Sequence, residues 1–260
     1  MERSNLRHKS DRPEAVDPTS RDNSQAIHLS DPSHSSTLRR SDLFSELSHS
    51  EMEDVLGHAL RQRWEVGQTV FSQGGIANKC YLVERGRIRL YQLTSGGHEV
   101  LIRFVTQGEF VGFAAVAQLS GFSVNAIVTQ PTDTLAWTGD CMRKLMLKYP
   151  RLGLNAFTAA VGNMVRYENR CPGLCCDPVE TRIGNALEEL ANCIGERTGE
   201  SCRIDGGVLE KDIAQMAGAS VGSVSRLLAR WRRDGYIEGG RGKLIVRYSG
   251  DRLKLPSPRA

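Results

Sequence analysis

The stretch from Leu209 to Tyr236, LEKDIAQMAGASVGSVSRLLARWRRDGY, restricts what this chain can fold into more than any other. Apolar or small residues at Leu209, Ile213, Met216 and Ala217 recur at three- and four-residue steps, as one buried helical face requires. Gly218 breaks that period, and a turn between two crossed helices often contains glycine. Ser220 is placed to cap a second helix, because its hydroxyl can accept from the free N–H groups of the next turn. Val224, Leu227, Leu228 and Trp231 give that helix an inner face, while Ser223, Ser225, Arg226, Arg230, Arg232 and Arg233 lie on the other. An apolar back with a serine- and arginine-rich front suits a helix that enters the DNA major groove. The plainer alternative is a surface helical hairpin with a solvated basic face.

Charge is distributed in keeping with the first reading. The net charge of the 260 residues is +4. From Val221 to Ala260, ten Lys/Arg stand against three Asp/Glu, a net +7, which leaves −3 over the remainder. A polyanion-binding surface is therefore expected at the C-terminal end. No run of about twenty apolar residues is present, so no membrane span is expected. The opening MERSNLRHKSDRPE lacks the apolar core of a secretory signal. A cytoplasmic location, with reduced cysteines, is the expectation.

Residues 1–41 are polar, rich in Ser, Asp, Arg, Pro and His, and without apolar periodicity. They read as a disordered N-terminal extension. From Leu43 the stretch LFSELSHSEMEDVLGHAL suits one or two short amphipathic helices. Short β-like runs follow: RWEVGQTVF, KCYLVERGRIRLYQL, EVLIRFVTQGEF and NAIVTQPTDTLAW. In KCYLVERGRIRLYQL the alternation predicts two strands with a turn at Gly86. Gly67, Gly74–Gly75, Gly96–Gly97, Gly108 and Gly112 sit at most other junctions. Many short strands with glycine corners imply an antiparallel barrel or sandwich.

The helical period returns at Cys141, Leu145 and Met146 and is interrupted at Tyr149–Pro150. Leu154, Phe157, Val161, Met164 and Cys171 then form a heptad-like seam on a helix of about twenty residues. Such a seam wants a partner, either the same helix of a second chain or the chain's own barrel. Pro172–Gly173 is expected to end the helix. VETRIGNALEELANCIGERTG predicts another, with Ile183, Leu187, Leu190 and Ile194 inward. After the helix pair, Tyr236–Ile237 and Leu244–Ile245–Val246 read as short strands joined by a glycine-rich turn, a wing beside the helices.

Taken together, VFSQGGIANKCYLVERGRIRLY, DIAQMAGASVGSVSRLLARW and GYIEGGRGKLIV resemble the Crp/Fnr family of bacterial transcription regulators over roughly residues 42–250. Ala214, Gly218, Val224 and Leu227 fall where helix-turn-helix proteins place their small residue, turn glycine and packing aliphatics. The fold class implied is α+β: an N-terminal antiparallel β-barrel of the cyclic-nucleotide-binding-like jelly-roll type, a long dimerisation helix and a C-terminal winged helix-turn-helix. The corresponding boundaries are 1–41 extension, 42–149 sensor barrel, 150–174 dimerisation helix, 175–250 winged helix and 251–260 tail. The resemblance implies a homodimer, with Leu154, Phe157, Val161 and Met164 at its interface, binding double-stranded DNA at an inverted-repeat operator. It also implies contact with RNA polymerase and no enzymatic activity; no nucleophile–base pairing stands out in the sequence.

Departures from the family pattern narrow the signal. Cyclic-AMP-binding members carry a Gly-Glu pair and a later Arg-Ser for the ribose and the cyclic phosphate. Here Phe113 stands for the glutamate and Val124–Asn125 for Arg-Ser, so cyclic AMP is not the expected effector. The oxygen-sensing branch ligates an iron–sulfur cluster through N-terminal cysteines, and no cysteine here precedes Cys80. Neither His98 nor Cys80 sits in a pairing that builds a haem site. On the second helix, Val221 and Gly222 occupy places where relatives commonly carry Arg and Glu. Ser225–Arg226 keeps the Ser-Arg pair of the oxygen-sensing branch. Arg226 is the candidate for bidentate contact with guanine O6 and N7, and Val221 for a thymine methyl. Ser220, Ser223, Lys211 and Arg230 are candidates for phosphate or weaker base contact.

Five of the seven cysteines lie between Cys171 and Cys202. Cys171, Cys175, Cys176 and Cys193 can supply four thiolates, whose softness suits an iron–sulfur cluster or zinc. Metal-free thiol chemistry, forming a disulfide or sulfenic acid, is the second possibility, and structural cysteines the third. A separate reading places an organic effector in the barrel near Phe110–Val116 and Phe122–Ala126, with the cysteines uninvolved. DNA binding without any effector is a further alternative.

Overall fold

The computed structural model describes residues 25–26, 41–204, 208, 210–240, 243–249 and 252–256. The expected extension, apart from Gln25–Ala26 and Ser41, lies outside these residues. So do Leu209, the wing turn at Arg241–Gly242 and half of the tail expected at 251–260.

Local capping chemistry starts the sensor unit. Ser41 opens a 3-10 turn (Asp42–Phe44), its Oγ accepting from Leu43 N at 3.3 Å. Ser48 and Glu51 form a reciprocal capping box that starts α1 (His49–Gly57) and turns Met52, Val55 and Leu56 inward. The strands are β1 (Gln25–Ala26), β2 (Leu60–Trp64), β3 (Thr69–Phe71), β4 (Lys79–Leu93), β5 (Glu99–Val105), β6 (Phe110–Val111) and β7 (Asn125–Thr138). They pair antiparallel in the order β1-β2-β7-β4-β5, with β3 added to β7 and β6 to β4. Among the described residues this hydrogen-bonded path is open rather than a closed ring.

The expected turn at Gly86 is corrected by the structure. KCYLVERGRIRLYQL is one 15-residue strand, paired with β7 from Lys79↔Thr138 to Tyr91↔Asn125. Its register shifts on both sides of Arg85, and Gly86 has φ +94°. The glycine makes a bulge that bends a continuous strand, a use of glycine whose sequence signal is the same as that of a hairpin turn. Successive residues of β4 point to opposite faces. Tyr81 and Val83 join an inner core with Phe71, Ile88, Val105 and Phe122, while Cys80 and Leu82 join Leu56, Leu135, Trp137 and Leu152 on the other side. Short α2 (Phe113–Val116) and α3 (Gly139–Lys148), the latter capped by Thr138, close that second layer.

The long helix α4 (Pro150–Cys176) has 27 residues and does not end at Pro172–Gly173 as expected. A proline inside a helix removes one N–H and crowds the carbonyl four residues back, but it does not oblige the chain to leave the helix. A tertiary contact holds the turn before it, and the C-cap hydrogen bond closes the turn after it. Arg170 donates to Ile102 O on β5 at 3.1 Å, and Asp177 N donates to Gly173 O at 3.0 Å. Leu174 lies against the Gly218 turn, where an added Cβ would come within 3.4 Å of its Cδ2.

α5 (Val179–Ile194) leads into a hairpin not anticipated from the sequence, β8 (Glu196–Thr198) and β9 (Ser201–Ile204). Then come α6 (Glu210–Ala217), α7 (Val221–Arg233), β10 (Ile237–Glu238), β11 (Leu244–Ser249) and β12 (Arg252–Leu253). The expected wing is present as β10 and β11, in a sheet ordered β10-β11-β9-β8 with β12 beside β11. Its core gathers Ile183, Leu187, Leu190, Ile213, Val224, Leu228, Trp231 and Val246, and includes Leu101 and Phe104 from β5. The C-terminal unit is thus packed directly on a strand of the N-terminal one.

Candidate nucleic-acid interface

Gly218 adopts φ +56°, a left-handed conformation that lets α6 and α7 meet at a tight angle. Ser220 caps α7 as its sequence position predicts: its Oγ accepts from Ser223 N at 3.1 Å and lies 2.9 Å from Ser223 Oγ. Val224, Leu227, Leu228 and Trp231 are buried, which fixes the opposite face outward. Val221 is 47% exposed at the start of that face, and Ser225 and Arg226 are exposed beyond it. Arg226 donates through Nη2 to Ser223 Oγ at 3.4 Å and passes Gly222, where a Cβ would sit 3.5 Å from Nη1. Ser220, Val221, Ser223, Ser225 and Arg226 therefore form one contiguous front over the first two turns of α7.

The other two candidates are engaged elsewhere. Arg230 is paired with Glu180 on α5, and that hydrogen bond raises its already high pKa. Lys211 Nζ lies 3.0 Å from Glu99 Oε2 on β5. Sequence reasoning missed two supports of the front. Arg182 on α5 donates through Nη1 to Gly218 O at 3.1 Å, holding the turn itself. Asp212 and Gln215 on α6 both receive hydrogen bonds from Arg89 on β4. These partners lie 36 or more residues apart in the chain, so no local pattern announces them.

On α4, Leu152 and Ala156 are buried against the sensor unit. The expected interface residues lie on the opposite side. Leu154, Phe157 and Met164 are 55%, 65% and 53% exposed, Val161 is half-buried, and Val165 extends the stripe. The helix thus carries two apolar faces, and among the described residues only one is covered.

The four candidate thiols are not brought together within one chain. Cys171, Cys175 and Cys176 are exposed on the last turns of α4. Cys193 is turned under β5, its Sγ 3.6 Å from Phe104 O, and burial pushes its thiol up to about 11. Among the described residues no three His, Cys, Asp or Glu side chains are grouped to hold a metal ion. Cys193 is half-buried on α5, whereas Cys171, Cys175 and Cys176 are exposed on α4, so proximity in sequence does not give the four one environment. In the barrel, aromatics of the segment expected to line an effector pocket pack on one another and on β3. Phe122 stacks on Phe71 with centroids 4.0 Å apart, and Phe113 packs edge-on against Phe110 at 5.0 Å. Asn125 accepts from Gln73 N at 3.0 Å.

Residues 61–149 match the cyclic nucleotide-binding domain family, and residues 181–253 match the Crp-like helix-turn-helix domain family. The chain belongs to the Crp/Fnr family of transcription regulators. It is 24% identical to the cyclic AMP receptor protein of Thermus thermophilus, over 81% of this chain and 94% of that one. It is 27% identical to the nitrogen fixation regulation protein FixK of Rhizobium meliloti, over 74% of this chain and 84% of that one. The solved structure of FixK2 from Bradyrhizobium japonicum shares the fold, with a TM-score of 0.65 at 17% identity, covering 73% of this chain and 93% of that chain. Among the described residues of this Crp/Fnr regulator, no helix is long and apolar enough to cross a membrane.

Proposed function

We propose that this Crp/Fnr regulator acts as a homodimer on an inverted-repeat operator, with its signal entering through thiols at the C-terminal end of α4. The observation that carries the reading is the apolar stripe of Leu154, Phe157, Val161, Met164 and Val165, which the described residues leave uncovered on a helix already packed on its other side. A heptad-spaced stripe of this kind is buried most simply by a second copy of itself. Both readers follow the same end of α4. Parallel pairing therefore places two α7 helices on one side of the dimer, as half-sites about 34 Å apart require. Arg226 reads a guanine in each half-site, with Val221 and the serines around it, and the bound dimer contacts RNA polymerase.

The thiol route is supported by position. Cys171, Cys175 and Cys176 stand on the element that joins the sensor unit to α5 and the reader. Chemistry there alters the helix end on which both readers hang.

Sedimentation of the full chain, with titration of a palindromic duplex and of its half-site, tests the dimer. The wild-type chain is expected to be dimeric and to bind the palindrome at least tenfold more tightly than the half-site. Phe157→Glu is expected to give a folded monomer that loses this advantage. A monomeric wild-type chain with equal affinity for both duplexes refutes the reading. Replacing all three exposed cysteines with serine is expected to abolish the response of operator affinity to the redox state of the medium. An unchanged response moves the signal to the barrel.

A further inference from the structure

The seam of α4 does not stop at Met164. Continuing the alternating steps of three and four from Leu154, Phe157, Val161 and Met164 leads to Glu168, Cys171 and Cys175. All three are exposed, and α4 is helical through Cys176, so they lie on the same uncovered face as the apolar stripe. Cys176 is rotated about 100° from Cys175 around the helix and leaves that face. Cys193 is half-buried on α5, against β5. We propose that Cys171 and Cys175 of two chains form one four-thiolate soft-metal centre on the dimer axis, each chain supplying half of it. The site rests on the homodimer reading and is incomplete without the second copy.

Two physical arguments converge on it. Residues four apart on one helical face can hold the same metal, as two histidines do in an H-E-x-x-H helix. Two such pairs facing each other supply the four sulfurs that zinc and iron–sulfur clusters both take. Distance permits the meeting. Packed helix axes lie about 8–10 Å apart and Cα atoms about 2.3 Å from each axis, so facing seam residues are within side-chain reach of a common centre. A metal-free disulfide needs only one cysteine per chain, whereas a four-sulfur centre uses both.

The test uses the full-length chain, purified without oxygen and loaded in parallel with Zn2+ or with Fe2+ and sulfide. Native mass spectrometry counts metal per dimer, visible absorbance reports a cluster, and sedimentation reports the oligomer. One centre per two chains is expected, lost in Cys171→Ser and in Cys175→Ser and kept in Cys176→Ser and Cys193→Ser. Zinc at one ion per dimer without visible absorbance identifies a structural ion; broad charge-transfer absorbance with two or four irons per dimer identifies a cluster. Thermal melting checks that each exposed Cys→Ser variant is folded. Phe157→Glu keeps every cysteine, so loss of metal from that folded monomer separates a shared site from a site within one chain.

A dimer that takes up no metal, or that links Cys171 or Cys175 to its copy by a disulfide in place of metal, overturns the centre and leaves the dimer standing. One centre per chain, or retention in both Cys171→Ser and Cys175→Ser, also overturns it. A monomeric wild-type chain overturns the homodimer reading and the centre with it.

Discussion

Arg89 on β4 donates through Nε to Asp212 Oδ1 on α6 at 3.0 Å, joining the sensor sheet to the first helix of the reader. Asp212 is buried, and Arg89 is largely so. Around this pair, Arg89 also reaches Gln215 and Glu99, and Lys211 reaches Glu99. Beneath them, Leu101 and Phe104 of β5 enter the reader core. The reader is therefore held by a charged clasp over an apolar contact, and its position depends on both.

Removing one member of a largely buried pair costs more than the pair contributes, because the other charge is left poorly solvated. Arg89→Ala is expected to destabilise the docked arrangement by about 3 kcal/mol. Calorimetry checks it: one cooperative transition should separate into two, with the reader melting first. A single transition at the wild-type temperature is incompatible with the clasp.

The clasp has a pH dependence of known sign. The Lys211 ammonium, and then the Arg89 guanidinium, hold the Glu99 carboxyl below its ordinary value of 4.5. A depressed pKa in the folded state gives stability that is fully present above the ordinary value and lost as pH falls through the folded one. Denaturant midpoints measured from about pH 5.5 to about pH 3.5 should fall more steeply for the wild-type chain than for Glu99→Gln. Parallel curves contradict the assignment.

Arg226 and Arg230 share α7 but should fail differently. Arg226→Ala is expected to weaken operator binding by about 1–3 kcal/mol and to relax discrimination at one base pair in each half-site. Arg230 is tied to Glu180, so Arg230→Ala should lower the melting temperature and leave base preference intact. Binding titrations against operators substituted one position at a time separate the two effects.

Gly86 and Gly67 offer a matched comparison. Both have positive φ, at +94° and +87°. A Cβ at Gly86 would run into Pro131 O and Thr132, whereas one at Gly67 meets nothing within 4 Å. Gly67→Ala therefore carries backbone strain alone, about 1 kcal/mol. Gly86→Ala adds a clash with the paired strand and is expected to cost about 2–3 kcal/mol or more. Equal urea midpoints for the two variants argue against the bulge geometry.

Much of the interface is legible along the chain because it is built from short-range regularities. The inner face of α7, the Ser220 cap and the left-handed Gly218 turn each follow from residues within about one helical turn of each other. The stripe on α4 is legible for the same reason. Gly86 was not, because a glycine in a bulge and a glycine in a hairpin turn stand in the same alternating surroundings. Nor was the continuation of α4 past Pro172. That outcome depends on Arg170 reaching Ile102 and on Leu174 lying against Gly218, partners far away in sequence.

By itself the sequence determined which residues share a face: the reading front from Ser220 to Arg226, the buried back of α7, and the heptad positions from Leu154 to Cys171. Periodicity is a property of a single element, so the chain states it without reference to anything else. Only the tertiary structure decided what each face meets. It packed the half-buried Cys193 against β5, left Cys171 and Cys175 exposed at the end of the seam, and drew Lys211 and Asp212 to the sensor sheet. Those outcomes depend on how separate elements pack, and packing brings together residues whose distance along the chain carries no signal.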